Sequence, residues 1–114
     1  MDTVYQQFKK NGVKIITEVN GSSGFSSGFL YQTSSWCQYN YVFTAKHTFK
    51  ESFDDEDICL DFIDFIEIQC YDQNKFTRYA FISKKEIKKN LFVLEGDLVI
   101  LIVNKNDKFE LPYI

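Results

Sequence analysis

The 114-residue sequence predicts an all-β domain, built as an antiparallel barrel or sandwich. Short apolar runs alternate with turn-forming residues, and no stretch has the 3.6-residue period of a long amphipathic helix. Aromatic residues make up 18% of the chain, which favours strands because their rings pack well on a pleated surface. With 45% hydrophobic residues and no internal repeat, the chain can bury one compact core.

The first half of the sequence predicts three strands. Val13–Val19 mixes β-branched and charged residues in near alternation, which is typical of a strand with one wet face. The sequence NGSSGFSS at Asn20–Ser27 is dense in Gly and Ser and predicts a loop. A strand resumes at Gly28–Tyr31, and after a second, serine-containing loop Tyr41–Ala45 predicts the third strand.

The second half predicts three more strands, which brings the expected number to six. Ile58–Cys70 and Lys75–Ser83 are two longer strands joined by a turn at Asp72–Asn74. Leu98–Val103 is an apolar run between turn-forming residues, and we expect it to be a buried strand. The polar connection Lys84–Asn90 predicts a solvated face or a short helical turn, without a binding function.

Two segments invite a functional interpretation that their residues do not support. The acidic run Asp54–Asp57 predicts an exposed loop because adjacent carboxylates repel each other, but it lacks the internal Gly and the spacing of a calcium loop. Gly24–Gly28 fits the G-x-S-x-G pattern of a nucleophile elbow, which needs a strand before it, a helix after it and a histidine last in the chain order. We interpret it as a Gly/Ser loop and predict neither a metal nor a cofactor.

Charge and cysteine content restrict the partners and the compartment. The net charge of -3 provides no positive field for a phosphate backbone, so nucleic acid is excluded as a partner. The odd set Cys37, Cys59 and Cys70 contains no CxxC pair, which predicts free thiols in a reducing, cytoplasmic compartment. The residues after Met1 are polar, and no run approaches the ~20 apolar residues that span a bilayer. We therefore expect no membrane contact.

Three segments together resemble the trypsin-like (chymotrypsin-fold) serine proteases. Ser27–Leu30 is similar to the family's GSG-type segment, Thr44–His47 to its TAAH motif, and Gly96–Leu101 to its D-[IL]-A-L-[LI] motif. Their order also agrees, since chymotrypsin places a histidine before an aspartate by about 45 residues. The resemblance implies a closed or nearly closed six-stranded antiparallel Greek-key barrel at 13–114, half of a two-barrel fold, after an N-terminal extension at 1–12.

The resemblance implies catalytic roles for His47 and Asp97. His47, the single histidine, would be the general base, because an imidazole can accept and return a proton near neutral pH. Asp97 would accept a hydrogen bond from its other ring nitrogen and fix the tautomer. Thr48 stands where secreted members carry a cysteine, so the disulfide beside the histidine is absent.

The nucleophile is the missing part of this triad, since no serine follows Asp97. The resemblance implies that a second barrel supplies the serine, the oxyanion hole and the substrate pocket, and that this chain alone is inactive. Its expected partners are a protein or peptide substrate and either the C-terminal half of the protease or a fused or partner regulatory domain. Two alternatives stay open: a catalytically inactive trypsin-like domain used for binding, and an unrelated small β-barrel that binds proteins.

Overall fold

A computed structural model describes residues 11–49, 58–109 and 111 of the chain. Within these residues there are seven strands: β1 Gly12–Val19, β2 Ser22–Tyr31, β3 Tyr39–Ala45, β4 Ile63–Asp72, β5 Lys75–Ser83, β6 Leu91–Val93 and β7 Leu98–Asn104. The acidic run Asp54–Asp57 and the first ten residues of the predicted N-terminal extension lie outside the described residues.

All seven strands belong to one antiparallel sheet with the order β5-β4-β1-β2-β3-β7-β6. Strands β1, β2 and β3 are consecutive neighbours, and β4 returns to lie beside β1, which is the Greek-key order 4-1-2-3. The predicted all-β antiparallel class is therefore confirmed. The sheet curls into a half-barrel whose terminal strands are β5 and β6, and the described residues contain no strand pair that closes it, where a closed or nearly closed barrel was expected.

The predicted number of six strands is wrong because β6 was not recognised. This strand is three residues long and pairs with β7 from Leu91↔Leu101 to Val93↔Val99. A run of three apolar residues is too short to show the alternation that identifies a strand. The predicted connection Lys84–Asn90 before it forms a 3₁₀ turn at Lys84–Glu86 and a single α-helical turn at Ile87–Asn90.

The predicted loop at Asn20–Ser27 is also wrong, because β2 begins at Ser22 and pairs with β1 from Ser22 to Phe29. Only Asn20 and Gly21 form the turn, with φ values of 50° and 82°. Positive φ at both central residues is the type I′ geometry that matches the twist of a hairpin. The Gly and Ser residues remain extended because β1 pairs with them and forms backbone hydrogen bonds with this strand. This pairing outweighs their low strand propensity.

Strand β4 begins later than predicted. Ile58 was expected to begin the strand, but a 3₁₀ turn at Leu60–Phe62 delays β4 to Ile63. No helix in the described part of the chain is long and apolar enough to cross a membrane.

The concave face of the sheet holds the core. The buried core consists of Val13, Ile15, Val19, Leu30, Val42, Phe49, Ile63, Ile66, Ile68, Cys70, Tyr79, Ile82, Ile87, Leu91, Val99, Leu101 and Val103.

Candidate active site

The pairing of β3 with β7 brings the two predicted catalytic residues together, at the end of β3 and the start of β7. The two strands pair up to Ala45↔Leu98, and beyond this pair the Lys46 N–H donates to the Asp97 carbonyl oxygen at 2.8 Å. His47 follows directly in a 3₁₀ turn, Lys46–Phe49. His47 and Asp97, which are 50 positions apart in the sequence, therefore come into contact because the strand before His47 and the strand after Asp97 are hydrogen-bonded neighbours.

The Asp97 carboxylate receives two hydrogen bonds from His47. The imidazole Nδ1 lies 2.8 Å from Oδ2, and the backbone N–H of His47 donates to Oδ1 at 3.2 Å. An ionised carboxylate only accepts hydrogen bonds, so Nδ1 carries the proton and Nε2 is the nitrogen that can accept one. The side chains of His47 and Asp97 are 50% and 55% exposed, which leaves the pair open to a reaction partner. The predicted contact is present, and the catalytic roles remain predictions.

A buried ring and two hydroxyl groups fix the turn that carries His47. Phe49 is buried at the end of the turn. The Thr44 hydroxyl donates to the Ser27 carbonyl oxygen at 2.9 Å, and the Thr48 hydroxyl donates to Ser26 Oγ at 3.0 Å. Thr48 thus ties the turn to β2 through a side-chain hydrogen bond. Sequence reasoning considered Ser26 only as the serine of the rejected G-x-S-x-G pattern and did not predict this supporting contact.

Close packing requires a glycine at position 28, beside the residue of β2 where pairing with β1 ends and pairing with β3 begins. Its neighbour Phe29 pairs with Gly12 of β1 and with Phe43 of β3. A Cβ on Gly28 would lie 2.8 Å from Ile15 Cδ1 and 2.8 Å from the Phe43 carbonyl oxygen. Both distances are shorter than real Cβ contacts, so a side chain at residue 28 would force a neighbouring strand to shift.

The outer face of β3, β6 and β7 is apolar and adjoins the edge that carries Asp97. Leu98, the next residue, is exposed, so β7 is buried on one face only rather than throughout as predicted. A shallow cavity of about 480 Å³ lies on this face. We call these six residues the outer apolar face: Tyr41, Phe43, Phe92, Leu94, Ile100 and Ile102.

Other sequence motifs do not form a second centre in the described residues. No group of three or more His, Cys, Asp or Glu side chains in that part of the chain is placed to hold a metal ion. Ser26 of the G-x-S-x-G segment lies within β2, whereas a nucleophile elbow is a strand-to-helix turn. Cys37 is partly exposed, Cys59 is exposed and Cys70 is buried, and all three are free thiols in the structure.

Comparisons with protein-family models, curated proteins and solved structures found no match to this chain.

Proposed function

We propose that this chain is the first barrel of a trypsin-like serine endopeptidase, in which His47 is the general base and Asp97 orients it. The observation that carries the proposal is the 2.8 Å contact between His47 Nδ1 and Asp97 Oδ2. In this mechanism the imidazole Nε2 takes the proton of the nucleophilic serine and later gives it to the leaving amine. The carboxylate holds the ring in the required tautomer and stabilises the imidazolium that forms between these steps.

The nucleophile, the oxyanion-hole donors and the specificity pocket are assigned to a second barrel, on a continuation of this chain or on a separate one. The substrate is then a polypeptide that binds between the barrels, and a fused or partner domain regulates the enzyme. The Greek-key order of the strands supports 13–114 as half of such a fold. The exposed free thiol of Cys59 supports a reducing, cytoplasmic location.

Serine-hydrolase labelling of the protein from its own host tests the proposal. The chain, tagged at Met1, is isolated with its accompanying polypeptides and treated with a biotinylated fluorophosphonate. His47→Ala should abolish labelling because it removes the base, and Asp97→Asn should slow it by up to about 10⁴-fold because the ring adopts the wrong tautomer. Lys85→Ala, on the exposed connection after β5, is the matched control and should label normally. Labelling that persists in the His47→Ala protein would contradict the proposal.

A catalytically inactive domain that binds proteins is the second candidate, favoured by the outer apolar face. Phe92 and Leu94 are 46% and 43% exposed beside the shallow cavity, and exposed apolar patches commonly mark interaction surfaces. This candidate predicts no fluorophosphonate labelling of any isolated form. It also predicts that Phe92→Ser reduces partner binding while His47→Ala does not.

A further inference from the structure

A shallow cavity of about 440 Å³ surrounds the side chain of Lys14 on the outer face of the sheet. Lys14 lies on this face because it alternates along β1 with the buried residues of the core. The rings of Phe25 and Phe76 are 71% and 47% exposed and form two walls of the cavity. We call the space between Lys14, Phe25, Ser27 and Phe76 the Lys14 cavity.

The Lys14 ammonium is held between the two exposed rings. Its Nζ lies 4.7 Å from the ring centroid of Phe25 and 5.9 Å from that of Phe76, both within the range of cation–π contacts. Tyr71 packs edge-on against Phe76, with ring centroids 5.3 Å apart, and so supports the second ring. The rings replace water on two sides of the ammonium, which strengthens its attraction for an anion.

No described residue supplies that anion. Lys14 forms no ion pair with a described carboxylate, unlike Arg78 and Lys84. Glu67 lies on the same face in the neighbouring strand β4, but its two oxygens accept hydrogen bonds from Arg78 and Gln69. The Lys14 cavity therefore presents a fixed positive charge that the described part of the chain does not neutralise.

The Lys14 cavity lies within reach of the candidate active site. Lys14 pairs with Ser27 across β1 and β2, and the Ser27 carbonyl oxygen accepts the hydroxyl of Thr44, three residues before His47. Lys14 is thus two strand spacings, about 10 Å, from the strand that leads to His47. An extended peptide covers this distance with about three residues. A polypeptide bound at His47 can therefore place one of its side chains in the Lys14 cavity.

We propose that the Lys14 cavity binds an acidic side chain of the polypeptide substrate, about three residues from the bond that is cleaved. The carboxylate of an Asp or Glu accepts a hydrogen bond from the Lys14 ammonium, and the methylene groups of the same side chain pack on the Phe25 ring. A basic side chain at this position is repelled by Lys14. This role rests on the proposed function, since it concerns the substrate of the same site.

Cleavage of peptides by the full protein tests this specificity. The protein is isolated from its host with its accompanying polypeptides, as for fluorophosphonate labelling, and digests random-sequence peptides whose products are identified by mass spectrometry. We expect enrichment of Glu and Asp at one position about three residues from the cleaved bond. For a pair of peptides that differ only in Glu or Gln at that position, kcat/KM should be about fivefold higher with Glu, the size expected for a partly exposed ion pair.

Variants of Lys14 assign the preference to its charge. Lys14→Met keeps the apolar stem and should make the Glu and Gln peptides equal, whereas Lys14→Glu should favour a Lys peptide at the same position. Lys85→Met is the matched control, because Lys85 is exposed on the connection after β5, and it should keep the Glu preference. If Lys14→Met does not fold, Lys14→Arg and Lys14→Gln provide the same comparison, since only the first keeps the charge.

Fluorophosphonate labelling of the wild-type protein separates the two ways in which the experiment can fail. If labelled protein cleaves the Glu and Gln peptides equally, or if the preference persists in Lys14→Met, the role of Lys14 is overturned while the proposed function stands. If the wild-type protein is neither labelled nor able to cleave any peptide, both are overturned.

Discussion

The hydrogen bond between Thr48 and Ser26 predicts that a disulfide can be introduced beside His47. The two hydroxyl oxygens are 3.0 Å apart, and replacing both residues by cysteine puts two sulfur atoms in their place. A disulfide needs an S–S distance of about 2.0 Å, which a small rotation of both side chains can provide. We therefore expect the Ser26→Cys/Thr48→Cys double variant to oxidise to an intramolecular disulfide.

The size of the stabilisation follows from the loop that the disulfide closes. The two positions are 22 residues apart, and the chain-entropy relation for such a loop gives about 3 kcal/mol. For a domain of this length, that corresponds to a rise in Tm of roughly 10 °C. The reduced form of the same variant is the reference, so differences in packing between Thr, Ser and Cys cancel.

Thermal unfolding with and without reductant, together with peptide mapping of the oxidised protein, measures both the link and its effect. Ser27→Cys/Thr48→Cys is the matched control, because neighbouring residues of β2 point to opposite faces of the sheet and Ser27 points away from the turn. If the control oxidises as readily, or if the first variant stays reduced in air, the turn that carries His47 is not packed on β2 at Ser26. The geometry assigned to the candidate site would then be wrong.

Four further outcomes are expected. Gly28→Ala should destabilise the protein by about 1–3 kcal/mol in urea unfolding because its Cβ meets two neighbouring strands, whereas Gly24→Ala, with its nearest contact at 3.5 Å, should be tolerated. Burial raises the pKa of the Cys70 thiol to about 12. The stability that this shift contributes is fully present below pH ~9, which is the pKa of the thiol in the unfolded chain, and is lost as pH rises towards 12. The difference in free energy of unfolding between wild type and Cys70→Ala should therefore shrink from about pH 7.5 to about pH 10.5. All three thiols should react in denaturant, and a lower count in non-reduced protein would contradict the cytoplasmic assignment. In ¹⁵N NMR spectra the His47 ring proton should lie on Nδ1, and Asp97→Asn should move it to Nε2.

The contact between His47 and Asp97 could be predicted from the sequence. The hydrogen bond that holds the His47 turn against β2 could not. His47 and Asp97 were identifiable because each lies beside an apolar run long enough to predict a strand, and the order of the two residues resembles a known pattern. The role of Ser26 depends on β2 extending through a Gly/Ser segment whose composition favours a loop. Strand β2 forms through this segment because β1 pairs with it from Ser22 to Phe29. This is a tertiary effect that local propensity does not contain.

The degree to which the sheet closes could not be predicted from the sequence for a related reason. Whether a barrel closes depends on the distance between strands far apart in the chain, which local patterns do not contain. The missed strand β6 pairs with β7 only up to Leu101, so among the described residues Ile102–Asn104 have no strand partner on that side.

The energetics of the His47–Asp97 pair indicate that stability alone does not account for its geometry. Both side chains are about half exposed, and a solvent-exposed contact between an imidazole and a carboxylate contributes only ~0–1 kcal/mol because water screens it. The contact is nevertheless well defined, since the ladder beyond Ala45↔Leu98 positions the backbone of both residues and the Asp97 carboxylate also accepts the His47 N–H. The sheet therefore holds an imidazole in a fixed tautomer at an open edge with little gain in folding free energy. Asp97→Asn should accordingly leave Tm nearly unchanged while it slows labelling by up to about 10⁴-fold, and a large loss of stability would instead assign the pair a structural role.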